Sequence, residues 1–185
     1  MSRVSLSYRD CPVAFGFVLV FALSASSVNE VSAQSGAIQQ NSGRQQQSQG
    51  TFESRMWNWL AKAQYKNWGP IPGVTGEAYA SEQPHGAQVK LFANRTAAAN
   101  PESLPHGSML VKENYSSDGS SLLAITIMYR SEGYNPQGGD WYWASYQPDG
   151  QISKMEGMSI SGKVGVCIDC HRSAEGDDFT FANDR

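Results

Sequence analysis

The chain has 185 residues, a formal net charge of -3 and an apolar content of 40%. That length suits one compact domain rather than two, and the apolar residues suffice for a packed core. The charge is mildly acidic and no basic stripe is visible, so the sequence argues against nucleic-acid binding.

The first 33 residues have the features of a secretory signal peptide. Arg3 and Arg9 give a weakly basic start, and residues 13–23 form an apolar run that is short for a membrane span. Val31-Ser32-Ala33 is a small-residue cleavage site. We therefore expect export to the periplasm with cleavage near Ala33, and an uncleaved membrane anchor is the alternative.

Two further regions follow the signal peptide. Residues 34–50 are rich in Gln, Ser and Gly and lack a hydrophobic period, which predicts a disordered leader. Residues 51–185 are predicted to form a single domain. Cleavage would remove Cys11, which leaves Cys167 and Cys170 as the cysteines of the mature chain.

A helix is predicted from residue 52 to about residue 67. Its apolar face follows a helical period through Trp57, Leu60, Ala61 and Gln64. Ser54 is the predicted N-terminal cap, and the Gly and Pro residues of 68–73 end the helix.

The period then changes to two, which indicates strands. The predicted strands cover residues 88–92, 108–115, 122–129 and 140–146. The stretch Gln147-Pro148-Asp149-Gly150 predicts a turn between antiparallel strands, and residues 133–139 predict a loop.

The most specific signal is Cys167-Ile168-Asp169-Cys170-His171. C-x-x-C-H is the attachment sequence for c-type haem. The two thiols bond to the former vinyl groups of the porphyrin, and His171 is then placed to ligate the iron. We predict one covalent haem c held by Cys167, Cys170 and His171.

Two other uses of the cysteines fit the sequence less well. A thioredoxin-like C-x-x-C lies beside a βαβ pattern, which this chain lacks. A structural zinc site needs four ligands, and His85 and His106 do not form a second paired spacing. Both histidines are predicted to lie at a surface or sheet edge rather than beside the iron.

The position of the motif narrows the class of haem protein. Only fourteen residues, 172–185, follow His171 and none is Met, so an electron carrier would need Met155 or Met158 to fold back. A four-helix cytochrome needs long amphipathic helices, whereas the middle of this chain alternates like strands. The prediction is a mainly β (α+β) haem protein with a fifth iron ligand, no clear sixth ligand and an open distal position.

Several segments together resemble the cytochrome P460 family, from about residue 57 to the C-terminus. They are residues 110–115 (LVKENY), 125–129 (ITIMY), 133–136 (GYNP), 140–143 (DWYW), 162–164 (GKV) and 178–181 (DFTF). The resemblance implies a curved antiparallel β-sheet with a few helices and a C-terminal haem attachment. It also implies a homodimer.

The resemblance implies two possible functions. Cytochromes P460 oxidise hydroxylamine to nitrous oxide or nitrite and carry a bond from a lysine side chain to a meso carbon of the haem. Cytochromes c′-beta share the fold, lack that bond and bind nitric oxide or carbon monoxide. An oxidoreductase would pass electrons to a small periplasmic acceptor, and a simple electron carrier is the third alternative.

The lysine that matches the family's motif is Lys112, whereas Lys90 lies outside it. Glu113 follows Lys112 on the predicted strand and is therefore expected to face the other way. The family's distal carboxylate has no clear counterpart, and Asp140, Glu132 and Glu156 are the open candidates for it. Candidates for walls of the distal pocket or for the ordinary core are the aromatic residues Phe92, Tyr115, Trp141 and Trp143.

Overall fold

The computed structural model describes residues 50–176 and 178–182. The predicted signal peptide, and the predicted leader up to residue 49, lie outside the described residues. Among the residues that are described, no helix has the length and apolar character needed to cross a membrane.

The first described helix, α1, spans Phe52–Ala63. Its cap is Thr51, whose hydroxyl oxygen accepts a hydrogen bond from the Ser54 amide at 3.2 Å, so the prediction of Ser54 as the cap is wrong. Gln64 takes a left-handed conformation that ends the α-helix, and Tyr65–Asn67 continue as a 3-10 turn. The predicted helix is therefore confirmed in position and shorter than expected.

The buried face of α1 differs from the predicted face. Met56 and Leu60 are buried, and Trp57 packs on the ring of Tyr146 with ring centroids 5.1 Å apart. Ala61 and Gln64, which were predicted to continue this face, are exposed. The helix thus rests on the sheet through Met56, Trp57 and Leu60.

Within the described residues, six strands form one antiparallel sheet in the order β1-β2-β3-β4-β5-β8. This confirms the predicted mainly β class. The strands are β1 (Tyr79–Ala80), β2 (Gln88–Ala93), β3 (Met109–Tyr115), β4 (Leu122–Arg130), β5 (Trp141–Tyr146) and β8 (Ser161–Gly162). A separate hairpin pairs β6 (Lys154–Met155) with β7 (Met158–Ser159).

The remaining elements are short. Helix α2 spans Arg95–Ala99, and a 3-10 turn at Pro136–Gly138 lies inside the predicted loop. The predicted turn after β5 is confirmed, since Gly150 has a φ of 87° and Tyr146 pairs antiparallel with Ile152 beyond it. Helix α3 spans Gly165–His171 and carries the haem motif.

The sheet separates two apolar clusters because side chains alternate along each strand. On the first face, Met109, Val111 and Tyr142 pack with Met56 and Leu60 of α1. On the second face, the packing partner is α3. That cluster includes Ile71, Leu91, Leu110, Met128, Trp141, Trp143 and Ile168. We call these the α1 face and the α3 face.

Candidate functional site

The haem motif lies on α3, which Ile168 anchors to the α3 face of the sheet. Cys167 and Cys170 are three residues apart, so their side chains lie on neighbouring positions of the helix. Both are half-buried free thiols. Burial and the neighbouring Cys170 raise the pKa of Cys167 to about 11, so its thiol is protonated at neutral pH.

A backbone hydrogen bond orients His171. Its Nδ1 lies 2.9 Å from the carbonyl oxygen of Phe179, which adopts a left-handed conformation with φ of 60°. A carbonyl can only accept, so Nδ1 carries the proton and Nε2 keeps its lone pair. Metal-ligating histidines are commonly oriented by such a bond from the other ring nitrogen.

Aromatic rings hold the His171 imidazole from two sides. The Trp143 ring lies 4.6 Å away and the Phe181 ring 5.2 Å away, measured between centroids. Burial lowers the pKa of His171 to about 4, and the Lys112 ammonium adds to that effect while the Phe179 bond opposes it. The ring is therefore a neutral imidazole, which is the form that ligates metals.

Lys112 lies on β3 and faces the same side of the sheet as the haem motif. Its strand partners are Leu91 on β2 and Thr126 on β4. Burial lowers the pKa of Lys112 to about 8, against an opposing effect of Cys170. The uncharged amine is therefore a minority form at neutral pH, although a larger one than in an ordinary lysine. The amine lies close enough to Cys170 and His171 to interact with both electrostatically.

Glu113 faces the α1 side, as the alternation of the strand predicted. Its carboxylate accepts hydrogen bonds from Tyr65 Oη at 2.8 Å and Tyr115 Oη at 2.6 Å. Lys66 Nζ lies 3.0 Å from the same group. Phe92 also packs on the α1 face, against Tyr65, so Phe92 and Tyr115 do not border the motif.

The two histidines that were predicted to be peripheral have different environments. His106 is at the surface, with Nε2 3.2 Å from Asp140 Oδ2, which confirms its prediction. His85 is half-buried and its ring lies 6.1 Å from the ring of His171, so its prediction as a surface or edge residue is wrong. Its sequence context, Pro-His-Gly, matches that of His106 and therefore carried no distinguishing signal.

The other candidate side chains do not join this cluster. Asp140 accepts hydrogen bonds from the Gly133 and Asn135 amides and so holds its own loop. Glu132 and Glu156 are exposed. The two methionines considered as iron ligands, Met155 and Met158, are also exposed, on the β6-β7 hairpin.

An open cleft of about 310 Å³ lies on the α3 face beside His85. Its lining includes His85, Asn114, Thr126 and Ser145. The volume is at the lower end of the range typical of small-molecule sites, about 300–1,000 Å³. The cleft provides a route by which a small ligand can approach Thr126, the strand neighbour of Lys112.

The zinc alternative finds no support in the described part of the chain. There, no group of three or more His, Cys, Asp and Glu side chains is arranged to hold a metal ion. A haem iron does not need three or more protein ligands, since the porphyrin supplies four of its ligands.

The indole Nε1 of Trp143 is buried without a hydrogen-bond partner among the described residues, which leaves one donor available to a bound polar group.

Comparison with protein families agrees with this geometry. The family model of cytochrome P460 matches residues 62–182, which include β1–β8 and the haem motif. The chain belongs to the cytochrome P460 family. Membership implies a haem-binding, iron-containing cytochrome. His85, Lys112 and His171 all lie within the matched residues. A comparison with curated proteins gave no match.

Proposed function

We propose that this P460 protein is a periplasmic c-type haem oxidoreductase that oxidises hydroxylamine. The observation that carries the proposal is Lys112, a largely buried amine with a lowered pKa beside the Cys167–His171 motif. The lowered pKa gives Lys112 a larger uncharged fraction than a solvated lysine has, and the uncharged amine is the nucleophilic form that can bond to the porphyrin rim.

The residues of α3 fit one covalent haem c. Cys167 and Cys170 would supply the thioether bonds, and His171 presents a free Nε2 lone pair for the iron. When bound, the haem supplies a redox-active iron that takes electrons from a small nitrogen ligand. Trp143 and Phe181 hold the imidazole, and α3 packs on the sheet through Ile168.

The proposed bond from Lys112 joins its amine nitrogen to a meso carbon of the porphyrin. One N–H and one C–H bond are replaced by one C–N bond, so two electrons and two protons are released. A peroxide-class oxidant takes up both and becomes water. The expected effect on the protein is a changed electronic structure of the cofactor, which is one lever that a protein has on haem reactivity.

The proposed reaction balances when two hydroxylamine molecules give one nitrous oxide and one water, with release of four protons and four electrons. A small periplasmic electron acceptor would take the electrons. As in the family resemblance, the proposed active form is a homodimer.

The test is the absorption spectrum of the ferrous protein, made in a host that attaches c-type haem. We expect a Soret band far to the red of ordinary c-type haem in the wild type, and its loss in Lys112→Ala. Lys90→Ala is the matched control, because Lys90 lies on the neighbouring strand β2 and its ammonium contacts Phe92 on the α1 face.

Turnover with an artificial electron acceptor then separates the functions. Hydroxylamine oxidation by the wild type supports the oxidoreductase. An ordinary five-coordinate spectrum that Lys112→Ala leaves unchanged would contradict the Lys112 bond. Nitric oxide binding without hydroxylamine turnover would then assign the protein to the c′-beta type.

A further inference from the structure

His85 belongs to a loop that leads into β2 and is tied to β3 by Asn114. The Asn114 Nδ2 group donates to the carbonyl oxygens of Lys112 at 2.9 Å and Ala124 at 3.3 Å, which fixes the orientation of the amide. The amide oxygen therefore accepts, from the Gly86 amide at 3.2 Å and from His85 Nδ1 at 3.1 Å.

This arrangement sets the tautomer of His85. Because Asn114 Oδ1 is an acceptor, Nδ1 of His85 must carry the proton, and Nε2 keeps its lone pair. His171 has the same arrangement, with Nδ1 committed to Phe179 and Nε2 available. Orientation through the other ring nitrogen is the usual arrangement of a metal-ligating histidine.

The two rings also have a spacing that fits one metal atom between them. Their centroids are 6.1 Å apart, with ring planes at 83°. Metal–imidazole bonds of about 2.0–2.1 Å and a ring nitrogen about 1.2 Å from the centroid would place two axial imidazoles with centroids about 6.4 Å apart. A distal residue that only hydrogen-bonds to an iron-bound ligand needs a wider gap, since the ligand itself occupies the space.

We propose that His85 is the second axial ligand of the haem iron, opposite His171, in the resting protein. This rests on the proposed haem c at Cys167, Cys170 and His171. It replaces the expectation of a permanently open sixth position: a small ligand or substrate gains access by displacing His85. Displacement of the ring would break the bond from His85 Nδ1 to Asn114, but the Gly86 amide still ties the loop to Asn114 on β3, so the sheet stays intact.

The test is the spin state of the resting ferric protein by electron paramagnetic resonance, with absorption spectra in parallel. The wild type is expected to be low-spin without added ligand, and His85→Ala to be high-spin. His106→Ala is the matched control and is expected to stay low-spin, because His106 follows the same Pro-His-Gly pattern but pairs with Asp140. A high-spin wild type, or a His85→Ala protein that stays low-spin, would overturn the proposal.

A second measurement covers the case in which His85→Ala fails to fold. The ferric wild type is mixed rapidly with cyanide over a range of concentrations. If His85 must leave first, the observed rate reaches a plateau as cyanide increases, and a rate that rises linearly throughout contradicts the proposal. Hydroxylamine turnover is measured on the same sample, so loss of turnover with a low-spin resting state would count against the proposed function and not against His85.

Discussion

Lys112 and Glu113 are adjacent in sequence, and their side chains lie on opposite faces of the sheet in different electrostatic environments. Burial lowers the pKa of Lys112 against a smaller opposing effect of Cys170, whereas Glu113 has two hydroxyl donors and an ammonium around it. Burial alone would raise the pKa of Glu113, but the hydrogen bonds from Tyr115, Lys66 and Tyr65 outweigh it and the pKa is lowered. The carboxylate is therefore a structural anion of the α1 face.

The first prediction concerns Glu113→Gln. We expect a loss of about 1–3 kcal/mol in the free energy of unfolding at pH 7, because one strong acceptor of a buried cluster is weakened. A lowered folded-state pKa gives stability that is present above the ordinary glutamate pKa, about 4.3, and is lost as pH falls through the folded value. The difference between wild type and variant should therefore shrink in acid.

Urea denaturation at a series of pH values measures this difference. The control is Glu77→Gln, because Glu77 is exposed and its removal should change the unfolding free energy little at any pH. A difference between wild type and Glu113→Gln that stayed constant from neutral to acid pH would show that the carboxylate charge contributes nothing.

Residues of the site differ in how far sequence alone could predict them. Cys167, Cys170 and His171 form a contiguous motif whose chemistry requires that spacing, and Lys112 could be matched only through the resemblance to a family. His85 carried no such signal, since its role depends on the pairing of β2 with β3 and on the position of α3. Those long-range contacts are absent from any local pattern.

At the level of elements, local chemistry left some choices undetermined. Thr51 and Ser54 both offer a hydroxyl near the start of α1 and are three positions apart, so either could cap a helix that begins at a slightly different point. The structure selects Thr51, and Ser54 donates its hydroxyl back to the Thr51 carbonyl oxygen at 3.0 Å. The helix itself was predictable and its first residue was not.

The second prediction concerns the element that carries His85. A Cβ atom on Gly86 would lie 2.5 and 2.6 Å from the backbone oxygen and nitrogen of Tyr115. Gly86→Ala must therefore push the loop away from β3, at a cost of about 1–3 kcal/mol. Thermal unfolding should occur at a lower temperature than in the wild type, and a displaced His85 should increase the high-spin fraction of the ferric haem.

Gly69→Ala is the matched control for this substitution. A Cβ on Gly69 would have no heavy atom within 4 Å, and its backbone does not require glycine. We expect its unfolding temperature and spin state to match those of the wild type. Equal behaviour of the two variants would show that the loop can accommodate a methyl group beside Tyr115 without cost.

For the molecule as a whole, alternation of apolar residues was enough to predict the central antiparallel strands. β2, β3, β4 and β5 were each predicted to within one residue of their bounds. The two-residue strands β1, β6, β7 and β8 were not, because two residues are too few to show a period. They pair only because the longer strands and turns bring them together.

The third prediction concerns the link between cofactor and fold. In the double variant Cys167→Ser with Cys170→Ser, the haem should separate from the polypeptide on denaturation, whereas the wild type should keep it. Ligands that bind only the folded state stabilise it, so the variant should also unfold at a lower temperature. Haem staining of a denaturing gel and thermal unfolding measure the two effects.

Cys11→Ser is the control, because Cys11 lies in the predicted signal peptide. It should retain haem staining and the wild-type unfolding temperature. Loss of haem from the denatured wild type would contradict covalent attachment through α3.

The alternation along β3 also limits how such a sequence can diverge. A one-residue insertion or deletion inside Met109–Tyr115 would exchange the two faces from that point onward. An insertion before Lys112 would turn the Glu113 carboxylate toward α3 and place the Lys112 amine on the α1 face, near Tyr65. We therefore expect related chains to vary in length in the connections at residues 94–108 and 116–121, and to keep β3 and β4 at constant length even where their side chains change.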